Sequence, residues 1–126
     1  MRYVIAVKSP IYGQQGAFLA YQFADALIKK GHEISQIFFF QDGVSNGNAL
    51  VYPANDEVNL QKHWQMFSIT HNVPLHLCVA ASQRRGVVDN LTTPTTAHYN
   101  LAEGFIIAGL GEFIVASLNA DRVITL

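Results

Sequence analysis

Short apolar runs alternate with helical stripes along this chain, and that alternation leaves few folds open. Arg2–Val7 holds Tyr3, Val4, Ile5 and Val7 in a near-continuous β-prone run, the pattern of a strand buried on both faces. Ser9-Pro10 ends it, and a loop with Gly13 and Gly16 follows. Residues 17–30 then read as a helix. Leu19, Phe23 and Leu27 recur at helical spacing beside Ala20 and Ala24, and Gly31 supplies the stop. The alternation repeats. A second strand spans 33–40. Residues 44–50 form a short helix or a loop. Asp56 is the expected N-cap of a helix over 58–71 that puts Leu60, Trp64 and Phe67 on one face. A third strand spans 75–79, a short helix starts at Ala80, a strand covers 105–108, a helix 110–118 and a last strand 122–125.

Strands that alternate with helices pair in parallel through right-handed crossovers. The expectation is an α/β fold: one three-layer α/β/α domain over residues 1–126, with a mostly parallel five-stranded sheet. Sites in such sheets lie outside the carboxyl ends of the strands. Here that edge comprises residues 9–16, 42–48, 78–85 and 109–112.

Composition narrows the class. Charged residues make up only 13% of the chain, against about 25% in ordinary soluble domains. Either another chain covers part of the surface, or neutral polar side chains do; the shortage favours the first. A net charge of −1 without a basic run leaves no footprint for nucleic acid. No apolar stretch approaches the roughly 20 residues of a membrane span. The apolar start is short for a signal peptide and runs into Lys8. One cysteine permits no internal disulfide, which fits a reduced, cytoplasmic compartment.

That cysteine, Cys78, is the strongest candidate for chemistry. A free cysteine is often only a small buried hydrophobe. Cys78, however, stands at the carboxyl end of a central strand, just before a helix start, with Arg84 and Arg85 one to two turns on. A helix N-terminus and nearby cations favour the nucleophilic thiolate. The two readings stay balanced on these residues alone. Arg84 and Arg85 either tune the thiol or dock an acidic partner, or simply end a solvated helix. The Gly13-Gln14-Gln15-Gly16 loop matches neither dinucleotide nor P-loop patterns. It reads as a turn that needs glycine, with a nucleotide- or flavin-binding module as the competing class. The five histidines, His32, His63, His71, His76 and His98, form no metal-ligand spacing.

A set of short motifs runs in order along the whole chain. It comprises Pro10 and Tyr12-Gly13, then Phe38-Phe39 with Gly43-Val44, Asn46 and Asn48, then Pro53-Ala54 with Asp56-Glu57. Cys78-Val79-Ala80-Ala81 followed by Arg84-Arg85-Gly86-Val87-Val88-Asp89 is the most diagnostic part. Gly109-Leu110-Gly111, Ala116-Ser117-Leu118 and Asp121-Arg122-Val123 close it. In these motifs the chain resembles the DsrE/DsrF-like family of small sulfur-relay proteins. The resemblance implies a sulfurtransferase in which Cys78 carries a persulfide. Arg84 and Arg85, near it in sequence, are candidates for tuning the thiol or docking an acidic partner, and Tyr12 and Gly13 are candidates for lining the site. The resemblance also implies a heterohexamer with two paralogues, a TusB-like and a TusC-like subunit. A TusA-like carrier would supply the sulfur and a TusE-like carrier would receive it, for 2-thiouridine at the tRNA wobble position or for a sulfur-oxidation pathway. It implies no metal, flavin or nucleotide cofactor and no direct contact with nucleic acid. The Thr-rich stretch 90–98 carries no charge, a departure from the family pattern at a loop that could touch partners.

Overall fold

The computed structural model describes residues 1–91 and 98–126. The Thr-rich stretch singled out above falls mostly outside them. Five strands, β1 (Arg2–Val7), β2 (Glu33–Phe39), β3 (Leu75–Cys78), β4 (Phe105–Ala108) and β5 (Arg122–Thr125), form one sheet in the order β4-β3-β2-β1-β5. Every pairing is parallel. The α/β architecture expected from the alternation is the one observed.

Strand order decides what covers each face. From β1 to β4 each strand steps the same way, through α1 (Gly16–Lys29), α2 (Leu60–His71) and α3 (Val79–Arg84). Right-handed crossovers put these helices on one face. The chain then returns past the whole sheet to β5 through α4 (Leu110–Leu118), which lies on the other face. Aromatic contacts agree: Tyr21 of α1 meets Trp64 and Phe67 of α2, while Phe113 of α4 stacks on Phe38 of β2 with ring centroids 4.5 Å apart.

The buried stripe of α1 is Ala17, Ala20, Ala24 and Leu27. Leu19, expected in that stripe, is half exposed. The small alanines let the helix lie close to β1 and β2, so the stripe rotates toward them. In α2 the buried residues are Leu60, Trp64 and Phe67, as the spacing predicts. Its N-cap is Asn59, not Asp56: the Asn59 side-chain oxygen accepts from the Lys62 amide at 3.1 Å. Glu57 acts in the turn before it, where its Oε1 accepts from the Ala54 amide at 2.8 Å.

The ambiguous stretch after β2 is a 3-10 segment, Gln41–Gly47. It packs tightly against the end of β1: a Cβ on Gly43 would overlap the Val7 carbonyl. Asn46 in this segment is fully buried and bonded on every side. Its Nδ2 donates to the Gly43 carbonyl (2.8 Å) and the Ser9 carbonyl (3.2 Å), and its Oδ1 accepts from Trp64 Nε1 (3.2 Å). One amide thus joins the loop after β1, the 3-10 segment and α2. Asn46→Ala would leave two carbonyls and the indole N–H short of a partner. It should lower unfolding stability by on the order of 3 kcal/mol, read from chemical denaturation; Trp64→Phe, which removes only the donor, should cost less.

Candidate functional site

Cys78 is the last residue of β3 and the N-cap of α3, with φ −58° and ψ 125°. It pairs with Ala108 of β4, whereas the β2–β3 pairing stops one residue earlier at Phe39 and Leu77. The backbone at Cys78 is therefore held from the β4 side, at the point where the strand turns into a helix. Its residue is 8% exposed, so it sits just beneath the surface.

Strand alternation sorts its neighbours. Leu75 and Leu77 point into the core shared with α1 and α2, and both are fully buried. His76 and Cys78 share the opposite face, the one crossed by α4. There His76 Nδ1 lies 2.6 Å from Gln36 Nε2 of β2 and 3.6 Å from Glu112 Oε2 of α4. Gln36 is 3% exposed, and its Oε1 has no hydrogen-bond partner. Burial lowers the His76 pKa below its ordinary 6.5, and the nearby Glu112 carboxylate offsets part of that shift. A cleft of about 400 Å³ opens between α4 and the two strands, lined by Gln36, Pro74, His76, Gly111, Glu112 and Val115 among others.

The other sequence candidates fall elsewhere. Arg85 turns away from solvent-side chemistry toward structure: its Nε donates to Asp42 Oδ1 at 2.9 Å and its Nη1 to the Ala81 carbonyl at 3.2 Å. It ties the end of α3 to the 3-10 segment. Arg84 is exposed in the last turn of the same helix. Tyr12 and Gly13 lie in the loop between β1 and α1. Gly13 has φ +89°, a backbone state that favours glycine there. The Tyr12 hydroxyl pKa is raised by desolvation, and further by the Glu57 carboxylate that it meets. That loop packs toward residues 51–60 instead of toward α3. The structure thus puts Cys78 on the strand face of His76, in register with Ala108 shortly before α4, and places the Tyr12 loop against residues 51–60. Among the described residues no group of three or more His, Cys, Asp and Glu comes together to hold a metal. No described helix is long and apolar enough to cross a membrane.

The His76 cluster is the part that the sequence reading passed over. The signal was present: a histidine two residues before Cys78 on a strand must share its face.

The DsrE/DsrF-like family profile matches residues 1–126. The chain belongs to that family. A "Sulfurtransferase TusD homolog" from Haemophilus influenzae is 94% identical over 126 residues, all of both chains. Another from Pasteurella multocida is 64% identical, again over the full length of both. One from Vibrio vulnificus is 51% identical and covers 98% of this chain and 96% of its own. Among solved structures, the ychN protein of E. coli superposes with a TM-score of 0.80 at 25% identity, covering 99% of this chain and 98% of that one. Identity of this extent over the full length assigns the chain to the sulfurtransferase class.

The half-buried His76 makes stability depend on pH. Its folded-state pKa lies below the ordinary 6.5 of the unfolded chain. As pH falls through that value the unfolded chain takes up a proton that the folded chain resists, so stability falls and levels off below the folded-state pKa. Urea midpoints measured between about pH 7 and pH 5 should drop for the wild type, and by less for His76→Asn.

Proposed function

We propose that Cys78 carries sulfane sulfur in a relay, within the cytoplasm. The observation that carries this reading is the position of the chain's single thiol. It stands at the carboxyl end of a strand in a parallel sheet, shallowly buried, in a chain of near-identical full-length likeness to a named sulfurtransferase. The chemistry is thiol exchange. The Cys78 thiolate attacks the outer sulfur of a donor persulfide, the inner S–S bond breaks, and the donor cysteine leaves as a thiolate. Cys78 then bears S–SH. A downstream thiolate attacks that outer sulfur, and Cys78 is released as the leaving group. Rates follow thiolate fraction, leaving-group pKa and access. The added S–S bond extends the side chain by about 2 Å, so loading moves the transferable sulfur outward from its shallow seat.

In this reading a TusA-like carrier donates, a TusE-like carrier accepts, and the sulfur ends in 2-thiouridine at the tRNA wobble position. TusB-like and TusC-like subunits complete a heterohexamer. The surface of α4 supports the assembly: Leu110, Ile114, Val115 and Leu118 are 56%, 54%, 59% and 80% exposed, and no residue of that helix is buried. Such an apolar patch fits a protein interface. With few charges in the chain, a covered face of this kind is the simpler account.

Incubation with a persulfidated TusA-like donor should add one sulfur atom to the intact mass. The gain should be removed by reductant and absent in Cys78→Ser. No gain either alone or in the co-expressed complex would sink the reading. Leu118→Glu should leave the fold within about 0.5 kcal/mol of wild type, as exposed positions do. It should reduce recovery of the TusB-like and TusC-like subunits in co-purification.

A further inference from the structure

The polar cluster of Gln36, His76 and Glu112 lies on the face of β3 that bears Cys78, and it joins three elements. Gln36 comes from β2, His76 from β3 and Glu112 from the first turn of α4. In register, His76 lies beside Phe38 and Ile106, and Cys78 beside Ala108. Gly109 alone separates Ala108 from α4, so the turn that carries Glu112 begins near Cys78 and reaches back over β3 to His76.

The cluster is built for two protonation states. With neutral His76, the Gln36 Nε2 donates to the ring Nδ1 at 2.6 Å, and Gln36 Oε1 is left without a partner although its residue is only 3% exposed. A protonated ring has no acceptor left and must donate from Nδ1. Two acceptors stand ready. Rotation of the Gln36 amide brings Oε1 to the ring, and the Glu112 carboxylate waits at 3.6 Å, beyond hydrogen-bond distance. The cleft beside them leaves room for the turn to move inward. Among the described residues, the titratable groups on this face near His76 are Glu112 from α4 and Cys78 on its own strand. β2 contributes Gln36 and Phe38, and β4 contributes Ile106.

We propose that Gln36, His76 and Glu112 are positioning residues forming a proton-responsive clamp, which draws the first turn of α4 onto β3 when His76 is protonated and so closes access to Cys78. The proposal rests on Cys78 being the reactive thiol, but not on which carrier it serves. At neutral pH the turn is held loosely and the sulfur can be reached. In acid, the imidazolium and the Glu112 carboxylate pair, and the turn covers the thiol.

The test is the rate at which dithiodipyridine modifies Cys78 in the full-length chain across the His76 titration. The rate is divided by that of His76→Asn at the same pH, which cancels the ionisation of the thiol and the reagent. The imidazole titration itself is followed by NMR. The ratio should fall with the His76 titration, and the fall should be lost in Glu112→Gln, an exposed position that the fold tolerates. A ratio that stays flat, or a fall that persists in Glu112→Gln, overturns the clamp. A ratio that rises in acid also overturns it, because the imidazolium would then act on the thiolate through its charge. Sulfur loading by mass is scored separately. Failure to load with a falling ratio would count against the relay and leave the clamp standing.

Discussion

The buried amide of Asn46 is the constraint on which the carboxyl edge of the sheet depends. A fully buried amide must satisfy both its donors and its acceptor, and Asn46 does so with groups from three different segments. Its backbone carbonyl also accepts from Gln61 Nε2 at 2.9 Å, which adds a second tie to α2. The 3-10 segment is thereby fixed against the loop after β1, and Gly43 allows the approach by lacking a Cβ. Because Asp42 of the same segment holds Arg85, the order extends to α3. The helix that begins at Cys78 is thus anchored at its far end to a segment that is itself locked by Asn46.

The two faces of the sheet are unequal, and the inequality follows from topology. Three successive steps in one direction stack α1, α2 and α3 on one side. There Trp64, Phe39, Phe105 and the inward strand residues form a dense core. A single return step leaves only α4 for the other side. Nine residues of helix cannot cover five strands, and α4 buries none of its own side chains. The Phe113–Phe38 stack and the Glu112–His76 contact are its visible attachments to the strands beneath. The low charge of the chain and this uncovered face are one fact seen at two levels.

What could be read in the sequence was whatever local periodicity fixes. Continuous β-prone runs mark β1 and β2, and Leu60, Trp64 and Phe67 mark the inner face of α2, because burial on one side imposes its period. Asp56 and Asn59 show the limit. Both are good caps, and the choice falls to the one whose oxygen meets a free amide three residues on, while Glu57 closes the preceding turn. Leu19 fits the helical period yet stays exposed, since the alanines beside it bring α1 closer to the sheet. For the candidate site, the strand-to-helix placement of Cys78 was legible. The Arg85–Asp42 pair was not: it spans 43 positions, and nothing local to residues 84–89 announces it. His76 was legible in principle by strand alternation alone, but its partners Gln36 and Glu112 come from elements that only the topology brings together.

A sulfur carrier faces opposed demands. A persulfide must be shielded from water and stray thiols, yet an incoming thiolate must reach its outer sulfur in line with the S–S bond. β4 holds the strand of Cys78 by parallel pairing, and α3 is anchored through Arg85. The first turn of α4 follows Ala108, the register partner of Cys78, carries glycine at 109 and 111, and meets β3 through the Glu112 carboxylate. On the reading proposed for Cys78, access to the sulfur is decided on this thinly covered face. That is also the face whose exposed Leu110, Ile114, Val115 and Leu118 suit contact with other chains. A subunit seated on α4 would press on the same turn as a proton on His76, so assembly and protonation would act on Cys78 through one helix.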